Sequence, residues 1–145
     1  MIKKSTTIFF LFAAFILACG QETKKESSQE KSDSTTPMTI HEDISVAEFT
    51  SMYDPNKHIL LDVRTPEEWN EGHLENAIHI NYYQDSFEDE IKKLDRDKSY
   101  FIYCKSGGRS GKTLHKFKEI GFVEAYNIEG GITSLKAEGV TIITE

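Results

Sequence analysis

At 145 residues with 38% hydrophobic side chains, the chain has room for one domain and a short extension. Its 17 basic and 24 acidic residues give a net charge of −7, a balance that excludes a surface built to attract nucleic acid. There are two cysteines, Cys19 and Cys104, and their surroundings decide what each one does.

The chain opens with Lys3 and Lys4 and then the apolar run from Ile8 to Ala18. That run is shorter than the roughly 20 residues a bilayer span needs and reads as a secretory signal, residues 1–18. Ile16-Leu17-Ala18-Cys19 resembles the lipobox of bacterial lipoproteins, with Leu17 bulkier than the usual occupant of its position. The resemblance implies cleavage after Ala18 and lipidation of Cys19 by a diacylglyceryl group; an ordinary signal peptide or an uncleaved anchor is the alternative. The mature protein would then carry 15 basic against 24 acidic side chains, net −9 before termini. It is expected to be a lipid-anchored membrane protein of the bacterial cell envelope, facing the periplasm or exterior. Gly20 follows Cys19, so the acidic residue associated with inner-membrane retention in some bacteria is absent, which favours the outer membrane.

Residues 19–38 are predicted to form a tether, because Gly20 to Pro37 is rich in Gln, Glu, Lys, Ser, Thr and Asp and has no aromatic residue. As a flexible coil it would reach roughly 20–25 Å. Residues 39–145 form the predicted domain. With Cys19 consumed by lipid, Cys104 would be the lone free thiol of an exported protein, either buried and inert or kept for its chemistry.

Beyond Met38 short apolar runs alternate with helical patterns, which predicts an α/β fold around a mainly parallel sheet. Ser45 and Glu48 have capping-box spacing ahead of a helix carrying Val46, Phe49 and Met52. A buried strand is predicted over 58–63. Thr65-Pro66-Glu67-Glu68 is a second capping box with proline at the first helical position, and Gly72 stops that helix. A strand is expected over 77–80, an amphipathic helix over 86–94, and a strand over 99–103 that runs straight into Cys104. A helix over 110–120 shows Leu114, Phe117 and Ile120 on one face. A last core strand falls at 125–128, a short helix around 132–136, and an edge strand or extended tail at 140–143.

The segment Cys104-Lys105-Ser106-Gly107-Gly108-Arg109-Ser110 leaves a strand and enters a helix. In open α/β sheets ligands bind outside the carboxyl ends of the strands. Glycines permit a loop whose N–H groups curl around an anion, and a following helix N-terminus adds about half a positive charge. Both stabilise a thiolate, so the Cys104 thiol is expected below its ordinary value, with Arg109 and Lys105 strengthening the field. Such a site suits a thiolate, a persulfide or an incoming oxyanion.

Here the sequence resembles the rhodanese family over most of the predicted domain. Leu61-Asp62-Val63-Arg64 with Glu67-Glu68-Trp69 looks like one family signature, and Glu71-Gly72-His73-Leu74 with Ala77-Ile78 like another. The Cys104–Ser110 loop looks like the family's active site, and Ile128-Glu129-Gly130-Gly131-Ile132 is a fourth match. The resemblance implies a parallel sheet with helices on both faces. It also implies a double-displacement sulfurtransferase in which Cys104 carries a persulfide, while Lys105, Ser106, Gly107, Gly108, Arg109 and Ser110 surround the substrate sulfur. Expected partners are a small-molecule sulfur donor, a thiol or cyanide-like acceptor, a possible protein acceptor, and the membrane through the lipid. No cofactor and no metal are expected, since the five histidines show no paired ligand spacing. The chain departs from the family at Glu75-Asn76, where Pro-Gly is common, at Asn81, where proline is common, and near Leu135, where an aromatic residue is usual. These departures touch loops and the substrate rim and remove no catalytic group.

Plainer readings stand beside these. Cys104 could be a small buried hydrophobe, Arg109 could pair with a carboxylate of the fold, and Lys105 could be a solvated charge. Asp62 and Arg64 fit a structural hydrogen-bonding role, as does His73, and Gly130-Gly131 is most simply a turn into a helix. Two other functions remain open: a sulfur-carrier or redox-sensing module without efficient turnover, and a cysteine phosphatase or arsenate reductase. Against the last, four residues separate Cys104 from Arg109, where the phosphatase pattern has five.

Overall fold

The computed structural model describes residues 38–144; the predicted signal segment, Cys19 and the predicted tether up to Pro37 lie outside the described residues. Five strands and five helices alternate along the chain. These are β1 (Ile40–Ile44), α1 (Val46–Met52), β2 (His58–Asp62), α2 (Pro66–Asn70), β3 (Ile78–His79), α3 (Phe87–Lys92), β4 (Ser99–Tyr103), α4 (Gly108–Ile120), β5 (Glu124–Ile128) and α5 (Gly131–Ala137). The strands form one sheet in the order β1-β5-β4-β2-β3, and every pair in it is parallel.

β4 lies at the centre, and all five of its residues are buried because helices cover both faces. Alternation along it splits the core. Tyr100, Ile102 and Cys104 pack with Leu61, Phe87, Ile91, Leu114 and Phe117 under α3 and α4. Phe101 and Tyr103 pack on the other side with Val46, Phe49, Tyr126, Ile132 and Leu135 of α1, β5 and α5.

The two predicted capping boxes both form. Ser45 and Glu48 cap α1 reciprocally, and Thr65 and Glu68 do the same for α2. Several boundaries differ from expectation. Strand β1 is not signalled in the sequence, since Ile40-His41-Glu42-Asp43-Ile44 places three polar residues in a row. It forms as an edge strand held by backbone pairing to β5. Of the three apolar residues at helical spacing, Val46 and Phe49 are buried, while Met52 ends α1 and is 38% exposed. β3 is two residues long, not four, and α3 is shorter than predicted at both ends. α4 begins two residues early, at Gly108. Residues 140–143 form an extended tail joined by a single antiparallel bridge, His73 to Ile143. Asn76 takes φ 60, a left-handed conformation that asparagine tolerates better than most residues; it stands where the family commonly has glycine.

Candidate active site

Cys104 stands immediately past β4, where the parallel sheet ends and its carboxyl edge opens. The chain then turns within three residues into α4. Gly107 makes that turn at φ 92, a torsion that would strain any side chain. α4 has no side-chain cap, so the amides of its first turn have no partner supplied from within the helix. The sulfur takes that place. The Gly107 N–H donates to Cys104 Sγ at 3.2 Å, and the Ser110 hydroxyl lies 3.4 Å from the same atom.

Burial is the largest influence on the Cys104 thiol and pushes it up. The Ser110 hydroxyl and the backbone N–H groups of Ser110, Ser106 and Arg109 act in the opposite direction and together prevail. The thiol is therefore lowered from its ordinary value, and the site favours a thiolate. Cys104 is 1% exposed yet lines the floor of an open hollow of about 520 Å³, whose walls include Thr65, Tyr83, Lys105, Ser106 and Lys112.

The far side of the loop is held as firmly. Ile132 N–H donates to the Cys104 carbonyl at 2.8 Å, and both the N–H and the hydroxyl of Thr133 donate to the Lys105 carbonyl, at 3.2 and 2.8 Å. With the carbonyls drawn back toward α5, the amides are left facing the sulfur. Gly131 (φ 55) makes this approach possible, since a Cβ there would lie 2.3 Å from the Cys104 carbonyl oxygen. Gly130-Gly131, read from sequence as a turn into a helix, is thus also the backing of the cysteine loop. Thr133 carried no signal in the sequence.

Arg109 does not point its guanidinium at the sulfur. Two of its nitrogens meet the two carboxylate oxygens of Glu68 at 2.7 and 2.8 Å, and the Tyr83 ring lies 5.4 Å from its central carbon. The Arg109 hydrogen bonds hold the Glu68 carboxyl down to about 2. Glu68 also accepts from the Thr65 N–H as part of the α2 capping box, so one carboxylate ties the start of α2 to the start of α4. Lys105 and Ser106 are exposed on the rim, and Gly108 opens the first turn of α4.

The neighbouring strand end is closed. Arg64, 2% exposed, bonds both oxygens of the fully buried Asp62 and donates to the carbonyls of Glu68 and Gly72. His79 meets the Arg64 carbonyl at 2.9 Å, and Trp69 is stacked between the His73 and His79 rings. These residues hold the loops beside the site. Among the described residues no cluster of three or more His, Cys, Asp or Glu side chains is placed to hold a metal ion. A more apolar hollow of about 360 Å³ lies between α1 and the C-terminal tail, lined by Phe49, Tyr53 and Val140, away from the cysteine.

Comparison with known proteins agrees with this geometry. The model of the rhodanese-like domain matches residues 45–138, well over half of the chain. A probable adenylyltransferase/sulfurtransferase, MoeZ of Mycobacterium tuberculosis, is 36% identical over 78 residues, covering 54% of this chain and 20% of its own length. The chain therefore spans about a fifth of that relative. The crystal structure of a rhodanese-related protein from Thermoplasma volcanium superposes with a TM-score of 0.63 at 30% identity, over 72% of this chain and 99% of the other. The solution structure of the polysulfide-sulfur transferase homodimer from Wolinella succinogenes gives a TM-score of 0.60 at 25% identity, over 74% and 80%. The parallel sheet with helices on both faces, the cysteine loop at its carboxyl edge and the match over residues 45–138 place this chain in the rhodanese-like domain family.

Proposed function

We propose that the protein is a sulfurtransferase that moves sulfane sulfur from thiosulfate or a persulfide donor to a thiophilic acceptor through a persulfide on Cys104. The observation that carries this reading is the sulfur itself: a lowered thiol at the floor of a hollow, taking an N–H from Gly107 and facing the Ser110 hydroxyl. With thiosulfate, the Cys104 thiolate attacks the outer sulfur, the S–S bond breaks, and sulfite leaves with the electron pair. The anionic outer sulfur of the Cys104 persulfide then lies in the field of the loop amides and the α4 N-terminus. An acceptor such as cyanide takes that sulfur, thiocyanate leaves, and the thiolate returns. Lys105, Ser106, Gly107, Gly108, Arg109 and Ser110 shape this field; Arg109 acts through Glu68 as a brace of the loop. The phosphatase reading is disfavoured by the same pair, since the arginine that would cradle a phosphate is engaged by a carboxylate.

We further propose that a lipid on Cys19 holds the domain at a bacterial membrane, facing the periplasm or exterior; the Ile16–Cys19 motif and the polar stretch that follows support this reading.

Intact-mass spectrometry of the full chain, wild type and Cys104→Ser, tests the transfer. Thiosulfate or a persulfide donor adds one sulfur, about 32 Da, to the wild type alone, and cyanide removes it as thiocyanate. Loading without repeated turnover would select the sulfur-carrier function instead, and no loading by either donor would exclude both.

A further inference from the structure

Three hydroxyls on the helices turn back on their own backbone: Thr50 donates to the Ala47 carbonyl, Ser51 to that of Glu48 and Thr113 to that of Arg109. Thr133 does otherwise. It is exposed on α5, and its hydroxyl leaves the helix to donate to the Lys105 carbonyl at 2.8 Å, where its own N–H also donates at 3.2 Å. Two donors from one residue occupy both lone pairs of that oxygen and fix its direction. α5 itself is anchored in the core by Ile132 and Leu135, both buried.

The direction matters because of what shares that peptide. The Lys105 carbonyl and the Ser106 N–H belong to one trans peptide unit, in which they point opposite ways. Holding the carbonyl toward α5 therefore aims the Ser106 N–H back at the Cys104 sulfur, and that N–H is one of the groups that lower the thiol. A carbonyl that accepts two hydrogen bonds also polarises its own amide and strengthens the N–H as a donor. Thr133 does this from behind the loop. It lines a hollow of about 250 Å³ with Ile132 and Lys136, and is not among the walls of the hollow over the sulfur.

We infer that Thr133 is a positioning residue for sulfur transfer: its hydroxyl, acting through the Lys105 carbonyl, holds the Ser106 amide on the Cys104 sulfur and so favours the attacking thiolate. For its reaction the inference rests on the sulfurtransferase reading; for its effect on the thiol it rests on the peptide geometry. The charged and titratable groups that face the sulfur are Glu68, Tyr83, Lys105, Arg109 and Lys112 around the hollow, with the Asp62–Arg64 pair at the next strand end. None of them is altered when the Thr133 hydroxyl is removed, so a change in the titration of Cys104 reports the Ser106 amide.

Thr133→Val keeps the branched shape of the side chain, removes the donor and, at an exposed position, opens no cavity in the core. Two measurements on the full chain test the inference: thiolate absorbance titrated against pH, and the pH profile of single-turnover sulfur loading, followed by mass. Thr133→Val should move both midpoints to higher pH. Below the midpoint its loading rate should fall roughly two- to fivefold, the scale of one neutral hydrogen bond, and above it the rate should match wild type. Thr133→Ser, which keeps the hydroxyl, should restore both, and Thr50→Val, which removes the same kind of bond on α1, should leave both unchanged. An unmoved midpoint in Thr133→Val, a rate lowered equally at every pH, or no rescue by Thr133→Ser overturns the inference and leaves the sulfurtransferase reading intact. A wild type that takes up no sulfur from thiosulfate or a persulfide donor overturns that reading, while the absorbance titration still decides whether Thr133 holds the thiol down.

Discussion

Helices α2 and α4 follow the neighbouring strands β2 and β4, and their N-termini meet the same requirement with different groups. At α2 the free amides are satisfied by the helix's own neighbours: Thr65 accepts from Glu68 N–H, and Glu68 accepts from Thr65 N–H. At α4 the cap residue is Gly107, which has no side chain, and the sulfur of Cys104 accepts its N–H instead. The strand ends differ in the same way. Asp62 at the end of β2 is matched on both oxygens by Arg64, and nothing is left over to act on a ligand. Cys104 at the end of β4 faces a hollow. Two polar groups at adjacent strand ends can thus be equally buried and serve opposite ends, and what separates them is whether their partners saturate them.

The largest effect expected from that contrast falls on the closed side. Arg64→Met leaves Asp62 fully buried without its cation and strips two carbonyls of a donor, which should cost about 3–5 kcal/mol in chemical denaturation. Cys104 loading, measured in the fraction still folded, should stay within a few-fold of wild type. A stable Arg64→Met protein that cannot load sulfur would break the comparison, because it would move the strand end of β2 into the chemistry.

On the open side the backing of the loop gives the next largest effect. Gly131→Ala adds a Cβ 2.3 Å from the Cys104 carbonyl oxygen and 2.8 Å from the Lys105 carbonyl carbon, so the loop must move. Gly139 shares the left-handed torsion, φ 80, with nothing within 4 Å of its added Cβ. Gly139→Ala should therefore show only the conformational cost, about 1 kcal/mol, with normal loading. Gly131→Ala should cost about 1–3 kcal/mol and slow sulfur loading as well. Equal loading rates in the two variants would show that the Cys104 loop does not depend on α5.

The helix α5 was legible but its contacts with the Cys104 loop were not, and the reason is sequence distance. The loop from Cys104 to Ser110 is contiguous, and a lone thiol between a strand and a glycine turn states its own geometry. The Asp62–Arg64 pair is two residues apart and legible for the same reason. Glu68 was visible as the closing residue of a capping box and as part of a family signature, but not as the partner of Arg109, which is 41 positions away. Thr133 meets the Lys105 carbonyl from 28 positions away, and no local pattern marks such a contact. β1 escaped because the edge of a sheet imposes little hydrophobic alternation on a strand. Its evidence is its pairing with β5, some 84 residues on. The early start of α4 has a local cause that propensity opposes: Gly108 is a poor helix former, yet starting there puts the first turn next to the sulfur.

The smallest and most selective effect belongs to Ser110. Its hydroxyl is the largest influence that lowers the Cys104 thiol, set against the burial that raises it. A thiol lowered in the folded state is deprotonated down to a lower pH than in the unfolded chain. Its contribution to stability is accordingly present above the unfolded thiol's range and lost as pH falls through the folded value. Reactivity follows the same curve, since the thiolate is the attacking form. Ser110→Ala should move the pH profile of sulfur loading to higher pH. Below the midpoint the rate should fall by up to roughly tenfold, the scale of one hydrogen bond to a charged atom; above it the two proteins should converge. Thiolate absorbance titrated in parallel should shift with the rate. Slower loading at every pH, with the profile unmoved, would instead make Ser110 a packing residue of the α4 start, and the difference between the two helix N-termini would then rest on the Gly107 amide and its neighbours.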